Sequence, residues 1–188
     1  GVAAAAMQYW DWLGGDAAVL SPVDLQVIVL AASQLGTTFI AADGATEDCR
    51  ALALAAGAQV VAVPGPSGPA VARNRAADLA SGDVLAFVDA DVVVAPDALP
   101  GMCRLLDIEI GLAGVFGAYD HSPPARNFMS QYKNLSHTYV HEVGDTRAST
   151  FWAGLGVLRT DAFRSVGGFD ERFRRPSIED IELGYRLV

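Results

Sequence analysis

"QVVAVPGPSGPAVARNRAADLASGDVLAFVDADVVV", residues 59–94, is the stretch that decides the fold class. "QVVAV" (59–63) is a short apolar run rich in β-branched residues and reads as a strand. "PGPSGP" (64–69) continues neither strand nor helix and reads as a loop. "AVARNRAADLAS" (70–81) reads as a helix stopped by Gly82. "DVLAFVD" (83–89) returns to a buried strand, interrupted at its end by Asp89 and Asp91. Strand, loop, helix, strand is the repeating unit of an α/β sheet, and uninterrupted apolar strands are those covered on both faces.

The same alternation extends outward. "LQVIVLAA" (25–32) and "TFIAA" (38–42) read as strands. "TEDCRALALAAGA" (46–58) reads as a helix with Thr46 as N-cap, acids in its first turn and Gly57 at its end. "PDALPGMCRLLD" (96–107) is helical despite Pro100, and "AGVFGAY" (113–119) is a strand. Within residues 122–144, Phe128, Tyr132, Leu135 and Tyr139 recur at helical spacing on one face. "STFWAGLGVLR" (149–159) is a strand with glycine breaks, and "TDAFRSV" (160–166) is a short helix closed by Gly167–Gly168. "SIEDIELGYRLV" (177–188) opens a last helix with Ser177 as N-cap.

The expected architecture is therefore α/β: a mostly parallel sheet with helices on both faces. One joint resists this. Only a handful of residues separate the first two strands, whereas a parallel crossover needs a dozen or more. Either those strands are not a standard parallel pair, or "LQVIV" belongs to another register and the true first strand is missing. Residues 1–24 read as an N-terminal extension or remnant helix. Residues 25–188 read as one domain, C-terminally incomplete because the pattern stops in mid-helix.

Composition narrows the function classes. The chain of 188 residues is 52% hydrophobic and 19% charged, which is globular. Its 22 acidic residues outnumber 13 basic ones, for a net charge of −9. Nucleic-acid affinity rests on Lys and Arg, so no nucleic-acid partner is expected. An acidic chain suits cations, or an anionic ligand held through a metal. No apolar run reaches the ~20 residues of a transmembrane helix. Cys49 and Cys103 do not make a disulfide framework and fit reduced thiols of a cytoplasmic protein.

In α/β sheets ligands bind at the carboxyl ends of the strands. That rim collects Asp43, Asp89/Asp91 and Glu179/Asp180. On an extended chain, residues two apart point the same way, so Asp89 and Asp91 converge. Converging carboxylates call for a cation, and hard oxygen donors suit Mg²⁺ or Mn²⁺. Read without the rest, Asp-x-Asp is equally a turn cap and a solvated side chain. Asp43–Gly44 is either a turn pair or a carboxylate for a base or ribose. Arg73 is either a surface arginine or a phosphate contact. Glu179 and Asp180 either complement a helix dipole or supply a general base. Trp152 is either core or a stacking surface, with Gly154 allowing close approach. His137 and His141 are spaced i, i+4, but no HExxH pattern or third ligand supports a metal there.

Taken together, "LQVIVLAAS", "FIAADGATED", "GPAVARNRAADLASGDVLAFVDAD", "FWAGLGVLRTDAFRSVGGFDERF" and "SIEDIELGYRL" resemble the catalytic domain of a family 2 glycosyltransferase over about residues 25–188. "NFMSQYKNLSHTYVH" followed by "RPSIEDIELGYRL" resembles a bacterial subgroup. The resemblance implies the GT-A (Rossmann-like) fold, inverting chemistry, a UDP- or GDP-linked sugar donor, a saccharide or lipid-linked acceptor, and Mn²⁺ or Mg²⁺. It implies nucleotide contacts at Asp43, Gly44, Arg73 and Asp89, and metal ligands at Asp91 and Asp89. It implies a base at Asp180 with Glu179 beside it, and passage of the donor or acceptor sugar at Gly154 near Trp152. It also implies a cytoplasmic site, at the cytoplasmic face of the membrane in the full-length protein. Two other classes stay open: a GT-A scaffold that has lost its activity, and a sugar nucleotidyltransferase, whose glycine-rich basic signature is not visible. The chain departs from the family by having Ala42 before Asp43, Leu30 where a proline is usual, and no helix between its first two strands.

Overall fold

The computed structural model describes residues 27–33, 36–43, 54, 58–63, 67–89, 92, 94–122 and 126–188. The expected 1–24 extension and nearly all of the expected 46–58 helix lie outside them. Among the described residues one sheet holds β1 (Val27–Ser33), β2 (Gly36–Asp43), β3 (Gln59–Ala62), β4 (Val84–Val88), β5 (Gly114–Phe116) and β6 (Leu155–Arg159). The helices are α1 (Pro69–Leu79), α2 (Ala98–Ile108), α3 (Phe128–Val143), α4 (Thr160–Ser165) and α5 (Glu179–Leu187).

The strand order is β3-β2-β1-β4-β6-β5. Only β2 and β3 pair in parallel; β1 is antiparallel to β2 and to β4, and β6 is antiparallel to β4 and to β5. The expected mostly parallel sheet is thus corrected to a mixed one. The cause at β1 is chain length. Ser33 pairs with Gly36, leaving positions 34–35 as the whole link, which can only reverse the chain. The first two strands are therefore an antiparallel pair. Even so, β2, β3, β4 and β5 share one direction, with the reversed β1 and β6 between them. The carboxyl ends of β2, β3 and β4 still meet one rim.

Helices do cover both faces. Along β4, Leu85 and Phe87 point into one core with the alanines of α1, Phe163 of α4, Phe169 and Leu183 of α5. Ala86 and Val88 point into the other, with Leu99, Met102 and Leu106 of α2 and Val157 of β6. The period of two explains why β4 reads as one unbroken apolar run. Phe87 is the hub of the first core, with ring centroids of Phe169 at 5.4 Å, Phe163 at 5.6 Å and Phe151 at 6.2 Å.

The helix α3 docks the other way round from its pattern. Its side toward the fold is polar: Asn134 Nδ2 donates to Asp120 O at 2.6 Å, and Thr138, the residue it buries, has its hydroxyl 3.0 Å from the same oxygen. Phe128, Tyr132, Leu135 and Tyr139 form one face as expected, but that face is exposed. No helix among the described residues is long and apolar enough to cross a membrane.

These contrasts have a measurable consequence. Phe87→Ala removes a fully buried ring and should cost about 3–5 kcal/mol. Tyr132→Ser on the exposed face should change stability by less than about 0.5 kcal/mol. Urea denaturation of the two variants checks both values.

Candidate functional site

The site begins with an alanine-rich helix. Pro69 opens α1 at a position that needs no N–H donor, and Ala70, Ala72, Ala76 and Ala77 let it lie close on the sheet. Arg73 is buried among them, which an unpaired guanidinium does not tolerate. It is paired twice. Nη2 donates to Asp89 Oδ1 at 2.9 Å and Nη1 to Glu179 Oε1 at 2.8 Å. The side chains of Arg73 and Glu179 are 5% and 6% exposed, whereas Asp89 is 33% exposed and faces the rim. The Arg73 guanidinium also lies 5.3 Å from the Phe169 ring centroid, a cation–π contact. Among the described residues its Nε has no hydrogen-bond partner.

Glu179 is closed by a second contact: its Oε2 accepts from Ser177 N at 2.9 Å. The expected Ser177 cap is therefore corrected. Ile178 occupies the N-cap position of α5 with no side-chain cap bond, and the carboxylate of Glu179 reaches back to the backbone instead. The next residue, Asp180, is half-buried; its Oδ2 accepts from Ala153 N at 3.2 Å and its Oδ1 from Ile181 N at 2.8 Å. One residue on, Gly154 O accepts from Asp89 N at 2.9 Å. The Ala153–Gly154 turn thus touches Asp180 on one side and the end of β4 on the other.

Asp43 ends β2 and pairs with Ala62 of β3. Ile28 of β1 lies between Ala41 and Val88, so Asp43 and Asp89 leave the same sheet edge, with one strand between their chains. At 4.7–4.9 Å per strand, β2 and β4 are about 10 Å apart. Gly44 and Asp91 lie outside the described residues. β4 ends at Val88, one residue before Asp89, and Val92 N donates to Asp89 O at 3.0 Å.

Trp152 is half-buried, and its ring occupies the space a side chain on Gly154 would fill. Tyr119 packs on it at 4.9 Å between centroids and His141 at 5.9 Å. Gly154 is a glycine because Trp152 needs the room. A like constraint fixes α5, since a Cβ on Gly184 would collide with the backbone of Thr150 and Phe151. Two further residues were not singled out by sequence. Asn74 holds Phe169 from both ends, Nδ2 to Phe169 O at 2.8 Å and Phe169 N to Oδ1 at 2.9 Å. Tyr119 joins β5 to the Trp152 cluster. The signal for Asn74 was available: it is a second polar residue beside Arg73 in an alanine-rich helix.

Among the described residues no three His, Cys, Asp or Glu side chains are grouped to hold a metal ion. The donor chemistry nevertheless fits a hard divalent cation. Asp89 presents a carboxylate at the rim that is 33% exposed, Asp180 stands beside the adjoining Ala153–Gly154 turn, and both are hard oxygen donors.

The sequence matches the family model for Glycosyl transferase family 2 over residues 36–167. The chain belongs to that family, which makes it a glycosyltransferase domain and implies a nucleotide-sugar donor and an acceptor. No curated protein matches the chain. The match starts with β2 and stops before α5, so it includes Asp43, Arg73, Asp89, Asp91, Trp152 and Gly154 but not Glu179 or Asp180.

Two measurements probe this packing. Gly184→Ala should cost about 1–3 kcal/mol by forcing α5 off the 150–151 backbone, read by urea denaturation. Burial, with a smaller push from His137, lowers the pKa of His141 below its ordinary value of about 6.5. The unfolded chain then binds more protons between the folded pKa and 6.5, so stability should rise with pH through that window. Below the folded pKa this contribution is gone. Thermal melts from pH 5 to 8 should show the rise, and His141→Phe should reduce it.

Proposed function

We propose that this domain is a metal-dependent inverting glycosyltransferase that moves a sugar from a UDP- or GDP-linked donor to an acceptor hydroxyl. The acceptor is a saccharide or a lipid-linked saccharide, in bacterial polysaccharide, glycolipid or cell-envelope synthesis, at the cytoplasmic face of the membrane. The observation that supports this best is the bridge from Asp89 through Arg73 to Glu179, because it joins the sheet rim to the turn that carries Asp180.

In this reading Asp43, with Gly44, meets the base or ribose at the end of β2, and Arg73 and Asp89 border the nucleotide. Asp180 accepts the proton of the acceptor hydroxyl. The freed oxygen bonds to the anomeric carbon as the bond to the diphosphate breaks on the opposite face, so the configuration inverts without a covalent nucleophile. Asp89 and Asp91 would hold Mn²⁺ or Mg²⁺, which would offset charge on the departing diphosphate. The turn at Gly154 and Trp152 borders the path of the sugar. The GT-A domain takes up residues 25–188 in this reading, with residues 1–24 preceding it.

A second reading, a GT-A module without activity, draws on the β1–β2 hairpin, since β1 stands outside the family match. Transfer from, or hydrolysis of, UDP- and GDP-sugars with Mn²⁺ present separates the two. Asp180→Asn should lower turnover about 10²–10⁴-fold, as loss of a general base does. Asp91→Ala should remove the Mn²⁺ dependence. Unchanged turnover in both variants sinks the assigned roles, and a wild-type chain that neither turns over donors nor binds UDP or GDP with Mn²⁺ favours the inactive module.

A further inference from the structure

Both terminal nitrogens of Arg73 are engaged within the protein, Nη1 with Glu179 and Nη2 with Asp89. We infer that Arg73 and Glu179 are positioning residues: together they brace the first turn of α5, and with it Asp180, against the donor-side strand end at Asp89. The inference rests on the reading of Asp180 as the base.

The brace joins residues far apart in sequence. Arg73 comes from α1, Asp89 follows β4, and Glu179 opens α5, 106 positions beyond Arg73. A guanidinium is a rigid planar fork, so the two carboxylates it grips are held at a fixed spacing. A lysine ammonium offers a point charge on a flexible stem and cannot set that spacing. Glu179 passes the constraint on, because its second oxygen fixes Ser177 N and so shapes the chain entering α5. Both Glu179 oxygens are engaged and the side chain is 6% exposed, so an acceptor hydroxyl has no access to it. Asp180 is half-buried and reaches the rim at Ala153. The neighbouring carboxylates therefore divide the work: one holds the turn, and the other meets the substrate.

The constraint has a second leg. Asp89 N binds Gly154 O, and Ala153 N binds Asp180 Oδ2. Loosening Arg73 should let Asp180 drift relative to Asp89 without removing either carboxylate. A shift of about 1 Å at a reacting centre costs about 10²-fold in rate. The effect should fall on kcat rather than on nucleotide affinity.

The test uses Glu179→Gln, which keeps the shape of the side chain, with Arg73→Lys as a second variant should Glu179→Gln fail to fold. The readouts are the affinity of UDP and GDP with Mn²⁺ by calorimetry, kcat and KM for hydrolysis of UDP- and GDP-sugars, and amide exchange at Ser177 and Ala153. Glu179→Gln and Arg73→Lys should each lower kcat about 10–100-fold, change nucleotide affinity less than about threefold, and speed exchange at both amides about tenfold. Weakened nucleotide binding at unchanged kcat would place Arg73 in the donor site and overturn the brace. So would faster exchange without any loss of kcat, or unchanged exchange at both amides. If the wild-type chain hydrolyses no nucleotide sugar, the functional reading falls on its own. The exchange arm then decides whether Arg73 and Glu179 hold the α5 turn.

Discussion

A single buried guanidinium organises the rim of this sheet. Arg73 sits in a helix whose other buried residues are alanines and Pro69, and it has been taken out of water almost completely. Removing one partner of such a buried pair is typically worth 3–5 kcal/mol, because it strands an uncompensated charge. The fold meets that demand with two carboxylates and an aromatic face. Each comes from a different segment: Asp89 from the end of β4, Glu179 from α5, Phe169 from the loop between α4 and α5. Asn74 repeats the arrangement one residue along, tying the backbone of Phe169 to the same helix. The polar contacts of α1 thus collect the C-terminal third of the described chain onto the first core.

Chain length at one joint sets the second constraint. With Ser33 opposite Gly36, β1 must reverse, and it then enters the sheet between β2 and β4. A reversed strand in that place would on its own scatter the functional ends of its neighbours if they followed its direction. It does not, because β2 and β4 each pair antiparallel to the same strand and so run alike. Asp43 and Asp89 keep a common edge by that double reversal. The site depends on the relative direction of β2 and β4, not on the sheet being parallel throughout.

The sequence carried some of this openly and hid the rest for physical reasons. The helix read at 70–81 is found at Pro69–Leu79, and the strand read at 83–89 at Val84–Val88, because Pro, Gly and apolar runs are local signals. Strand direction is not local. An apolar run such as "VIVLAAS" looks the same in parallel and antiparallel ladders, so the mixed sheet was legible only as a link too short to cross over. Burial of a helix face is not local either. The spacing of Phe128, Tyr132, Leu135 and Tyr139 fixes that they share a side of α3, but not that Asn134 and Thr138 face the fold instead. Likewise, the positive charge that Asp89 requires could be argued from its own strand. That Arg73 supplies it depends on a contact across β4 and α1, and the second half of the pair lies 106 positions away.

The division between Glu179 and Asp180 follows from the same geometry. Adjacent residues at a helix start differ by about 100° around the axis, so one can point into the core while the other points along the rim. The inward position falls to Glu179, whose charge is tolerable there only because Arg73 is already waiting with one arm committed to Asp89. Gly184, one turn further, lets α5 approach the 150–151 backbone closely enough for Asp180 to reach Ala153. Had the order of the two acids been reversed, the longer side chain would stand at the rim. The shorter one would have to span the distance to the buried guanidinium and to Ser177 N at once. The sequence Glu-Asp, rather than a generic pair of acids, is what a helix start needs to hold itself with one carboxylate and present the other.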